Sequence, residues 1–158
     1  MNKALARRLC ASADRLQSHA AFLAACEIVA LRRNLPAAQI RNGPSPAETH
    51  KLIQLGKSTV RRRDGASGRV LAIEHRVMAA DQAEIARIRA LVAARQDALY
   101  LAATVFGRGH RSLARAAAIS HKALQNALAA VEDRRSDPTV DRMLDEAELQ
   151  LMGAPTCG

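Results

Sequence analysis

His121, Lys122, Gln125 and Asn126 put four hydrogen-bonding side chains within six residues of one another, with Ser120 just ahead and Arg111 and Arg115 upstream. Gln and Asn each carry a paired donor and acceptor that match the edge of adenine, and Lys or His reaches a guanine edge or a phosphate. A helix starting after Ser120 would also aim free backbone N–H groups at an anion. This chemistry is recognition rather than bond-making. A second cationic stretch contains Lys57, Ser58, Thr59, Arg61, Arg62 and Arg63, all types that contact phosphates.

No reactive centre is legible elsewhere, and the chain reads as a non-enzyme. Gly56-Lys57-Ser58 matches the end of a nucleotide-binding loop, but Lys51 stands where that motif needs its first glycine and no strand leads in. His19, His50, His75, His110 and His121 are scattered, and none pairs with a Cys or carboxylate at zinc-ligand spacing. No metal or cofactor is expected. Three cysteines, at 10, 26 and 157, lack metal-type spacing, and Cys10 and Cys26 read as small apolar residues of a reducing compartment.

The elements that must position these groups are helical. Leu5, Leu9, Ala13, Leu16, Ala20 and Leu23 recur at steps of three and four, so 3–33 reads as a helix whose stripe packs internally or forms a dimer seam, with internal packing the default. Pro36 and Gly43-Pro44-Ser45-Pro46 break the pattern, and a short helix is expected over 47–55. Asp81 followed by Glu84 places a helix start at Gln82. Ile85, Ile88, Val92 and Leu99 line that helix, Arg95 interrupts their stripe, and Gly107-Arg108-Gly109 ends it near Phe106. Ser112 is expected to cap 113–118, Ser120 to cap 121–131, and Asp137 before Pro138 to open a last helix to Met152. No period-two run of β-branched residues appears. The fold class is all-α, a helical bundle, divided into a basic region 1–65 and a helical region 66–158.

Residues 112–131 satisfy the demands of a helix-turn-helix. Ala114 is small enough for two helices to approach, Ala118 opens the turn, and Ile119, Leu124 and Leu128 fill the angle between the helices. Residues 47–63 admit a second such element, turning at Gly56, or else a basic loop that contacts phosphates without reading sequence. Ile119-Ser120, Leu124 and Ala127-Leu128, followed by Asp137-Pro138-Thr139-Val140 and Met143-Leu144, resemble the helix-turn-helix of the Cro/phage-repressor superfamily, closest to its short antitoxin-type members. The likeness covers residues 112–152 only. It departs from the family at the joining segment Ala129 to Ser136, which is longer than usual and lacks a turn glycine. The resemblance implies sequence-specific duplex binding, usually by a dimer.

Charge and composition bear on the partner. The formal net charge is +9, with 20 Arg against 4 Lys, a bias that GC-rich coding explains. Residues 1–65 carry +8, 66–110 carry +2, 111–131 carry +3 without one carboxylate, and 132–158 carry −4. A basic body with an acidic tail suits a polyanion such as DNA. Aromatics are scarce (Phe22, Tyr100, Phe106, no Trp), which argues against the stacking platforms that bind single strands. Apolar runs are too short to span a bilayer, and Asp14, Arg15 and Gln17 interrupt any secretory signal.

The expectation is a cytoplasmic, nucleoid-associated regulator of bacterial or phage type, a homodimer on double-stranded DNA. In it His121, Lys122, Gln125 and Asn126 meet bases, while Arg111, Arg115, Ser120 and the 57–63 cations meet the backbone. The alternative is an adaptor that keeps the helix-turn-helix as a scaffold and grips a protein partner, such as the transcription machinery, through its first helix and acidic tail.

Overall fold

A computed structural model describes residues 3–61 and 71–153; the side chains of 3–6, 9, 55–61 and 71–80 are outside that description. Seven helices account for it: α1 (Lys3–Arg33), α2 (Ala37–Asn42), α3 (Pro46–Arg61), α4 (Leu71–Thr104), α5 (His110–Ala116), α6 (His121–Arg134) and α7 (Pro138–Gly153). The described residues hold no strand, and no helix is long and apolar enough to cross a membrane. The all-α bundle is the observed architecture.

One core joins the elements. Phe22, Ala25, Cys26 and Val29 of α1 and Ile40 of α2 share it with Leu91, Leu99 and Leu101 of α4, Leu113 of α5, Leu124 and Val131 of α6, and Leu144 and Leu151 of α7. Residues on both sides of 65 therefore form a single core. Asp97 through Ala102 are buried on every face, because α1, α5, α6 and α7 all pack around the end of α4.

Where its side chains are described, the leucine stripe of α1 does not make this core. Ala13, Leu16 and Ala20 are exposed, and Leu16 keeps 71% of its surface in solvent. The buried face carries Ser18, Ala21, Phe22, Ala25, Cys26 and Val29, roughly half a turn round the helix. Small residues on that side let α4 approach closely while Phe22 fills the volume between them. Leu16→Glu should accordingly leave the chemical-denaturation midpoint nearly unchanged, within about 0.5 kcal/mol; a larger loss would mean that residue 16 packs in the fold.

Several ends differ from expectation. α4 begins at Leu71 and passes through Asp81 without a cap there; the Asp81 carboxylate instead faces Lys51 at 3.7 Å. α3 continues through Gly56 to Arg61, so the backbone makes no turn at Gly56 and no second helix-turn-helix forms around it. α3 opens on a capping box that the Pro-Gly run obscured: Ser45 N–H donates to Glu48 Oε2 at 2.8 Å and Glu48 N–H to Ser45 Oγ at 3.2 Å. The Ser45 N–H and then Arg87 hold the Glu48 carboxyl down at about 2. α5 starts at His110 behind Gly109 rather than after Ser112. Ser112 lies 2.8 Å from Ser18, a fully buried hydroxyl that needs a partner. Cys26 is buried, and burial pushes its thiol up to about 12, so it behaves as a small apolar group; Cys10, by contrast, is exposed.

Two polar clusters tie the helices together. The Asp97 carboxylate, with no exposed surface, accepts Arg33 Nε at 2.8 Å and Nη2 at 2.5 Å from α1, and Arg134 Nη2 at 2.7 Å from α6. Arg135 reaches Asp141 at 2.6 Å, Asp145 at 2.5 Å and Glu148 at 3.3 Å, and it lies over the Tyr100 ring. Arg32 holds Glu146 at 2.6 Å. Four carboxylates of the acidic segment are thus committed to arginines of the same chain.

Candidate nucleic-acid interface

α5 and α6 meet through a turn whose geometry follows from its sequence. Ala118 adopts φ 54°, in the left-handed region, and Ile119 N–H donates to Ala114 C=O at 3.0 Å, which closes α5 in the Schellman manner. Ala114 is buried against its neighbours, Ile119 and Leu128 are partly buried, and Leu124 is fully buried. These are the residues expected to fill the interhelical angle. A left-handed Ala is strained by its Cβ, a strain that glycine lacks. Ala118→Gly should raise stability by about 1 kcal/mol once glycine's greater unfolded-state entropy is offset; a fall in the denaturation midpoint would contradict the turn geometry.

Ser120 N-caps α6, its hydroxyl accepting Ala123 N–H at 3.0 Å. The cap leaves the N–H groups of His121 and Lys122 for an external acceptor. His121, Lys122, Gln125 and Asn126 are all exposed, as are Arg111 and Arg115 on α5. His121 and His110 stand with ring centroids 6.3 Å apart. On α6 the exposed carboxylates, Glu132 and Asp133, come only at its far end, about 17 Å along the axis from His121. By helical spacing His121, Lys122, Gln125 and Asn126 share one side of α6, and with Arg111 and Arg115 all six side chains reach solvent. Arg62 and Arg63 lie outside the described residues, as do the side chains of Lys57, Ser58, Thr59 and Arg61.

Arg95 proves to be the residue that fixes the turn from behind. Its guanidinium donates to the carbonyls of Ile40 (3.2 Å) and Arg41 at the end of α2 and to that of Ala117 (2.8 Å) at the end of α5, and it lies 5.6 Å from the Phe22 ring centroid. Burial lowers its pKa from the ordinary arginine value. The break it makes in the α4 stripe was visible in the sequence, but its partners, distant along the chain, were not. Gly43 helps to admit it: with φ 71°, a Cβ there would come within 3.0 Å of Arg95 Cδ.

Among the described residues no three His, Cys, Asp or Glu side chains group as a metal site would. Comparison with protein-family models, with curated proteins and with solved structures finds no match to this chain.

Proposed function

We propose that this chain is a sequence-specific double-stranded-DNA-binding protein, a transcriptional regulator of bacterial or phage type whose α5–α6 unit works as a helix-turn-helix of the Cro/phage-repressor kind. The observation that supports this reading is the capped start of α6, where His121, Lys122, Gln125 and Asn126 stand exposed, with Arg111 and Arg115 exposed on α5. In this reading α6 enters the major groove by its N-terminal half. Gln125 and Asn126 take adenine edges, Lys122 and His121 take guanine edges or phosphates, and the α6 N–H groups with Ser120, Arg111 and Arg115 hold the backbone. Two copies would set their α6 helices one duplex turn apart, about 34 Å.

The internal pairing of Arg135 and Arg32 with α7 also favours DNA over the adaptor reading. Carboxylates already held by arginines are less available to grip a protein. Titration of a mixed-sequence duplex with the full chain at a series of salt concentrations tests the reading. Log affinity should fall linearly with log salt, by roughly 0.9 for each phosphate neutralised. Absent or salt-indifferent binding would reject DNA as the partner.

A further inference from the structure

Two grooves flank the α5–α6 turn. One, of about 800 Å³, runs between α1 and α5 and presents Arg15 and His19 of α1 together with Arg115. The other, of about 310 Å³, lies on the α2 side and presents Arg41 and Arg95. Both grooves include Ala116 and Ala118, so their cations surround the turn that leads into α6.

Neither lining contains a carboxylate. Asp14, the acidic residue of α1 beside Arg15, lies 3.9 Å from Arg108 instead. Arg32, Arg33, Arg87, Arg108, Arg134 and Arg135 all have carboxylate partners within the chain. Among the described residues Arg15, Arg41 and Arg115 have none, and all three are exposed. Arg95 is spent on backbone carbonyls. What remains is an uncompensated, concave cationic rim around the turn that precedes α6.

We infer that the surface taking the phosphate backbone of duplex DNA extends from the helix-turn-helix onto α1 and α2, with Arg15, His19 and Arg41 contacting phosphates on either side of the turn. The inference rests on the DNA reading above, and it adds residues that the sequence pattern alone did not single out. Concavity and the absence of carboxylates suit a ridge of phosphates. Ala118, which borders both grooves, precedes the α6 cap Ser120 by two residues, so a duplex read by α6 would pass close to both.

The test compares three full-length proteins on one mixed-sequence duplex: wild type, Arg15→Ala/Arg41→Ala, and Arg89→Ala/Arg142→Ala as a control with equal charge loss outside both grooves. All four side chains are exposed, so circular dichroism should be the same for all three. The slope of log affinity against log salt should become shallower by about 1.8 in the groove variant, two phosphate contacts at roughly 0.9 each, and stay at the wild-type value in the control. Equal slopes in all three, or equal flattening in both variants, would overturn the inference while leaving DNA binding intact. A wild type that does not bind the duplex would overturn both.

Discussion

Removing both arginines that face Asp97, as Arg33→Ala/Arg134→Ala, is expected to destabilise the fold by about 3–5 kcal/mol, because it strands a carboxylate in a low-dielectric interior. Asp97 has no exposed surface, and its two oxygens are served by different helices, α1 and α6, so each single arginine variant leaves it one partner. Asp97→Ala should cost less than the double variant. The guanidinium groups it frees belong to side chains 24% and 30% exposed, and these can recover hydration by small rotations. Urea denaturation of the three proteins reads the order directly. A double arginine variant as stable as wild type would mean that Asp97 is not buried as described. The cluster also matters to the site, since Arg134 is the last residue of α6 and its bond fixes the far end of that helix against α4.

Gln125→Ala/Asn126→Ala is expected to leave folding intact and to relax sequence preference, by roughly 1–3 kcal/mol for each bidentate hydrogen-bond pair to a base that the substitution removes. Both side chains are exposed, so the thermal midpoint should stay close to that of wild type. Affinity for mixed-sequence duplex should change much less than discrimination, because phosphate contacts supply most of the sequence-independent term. Selection of binding sites with the double variant checks this. An unchanged preferred site would take base reading away from these two residues.

The legible parts of the fold were those whose signal is local. Ser120 as a cap, Ala118 as the opening of the turn and Leu124 as the plug were readable from residue type at fixed offsets, and the structure has each in that place. Asp137 ahead of Pro138 likewise opens α7, its carboxylate accepting Thr139 N–H at 2.8 Å. What periodicity could not settle was which face of α1 is buried. The leucines mark one face, while Phe22 and the small residues Ala21, Ala25 and Cys26 mark the other, and the latter win because close approach to α4 needs small side chains. Partners far apart in sequence were invisible. Arg95 with Ala117 and Asp97 with Arg33 meet, and Arg15 and Arg115 come to line one groove, only once the helices pack. A capping pattern at Asp81 misled because the carboxylate found Lys51, and a helix already running from Leu71 needed no start there.

The most direct test of the central claim is selection by the wild-type chain from a random-sequence duplex pool, with the retained fraction sequenced at two salt concentrations. Enrichment of a defined motif that persists at the higher salt is expected, with two half-sites one helical turn apart if two copies bind together. Retention that disappears with salt and enriches no sequence would contradict it, and would show that α6 does not read base edges.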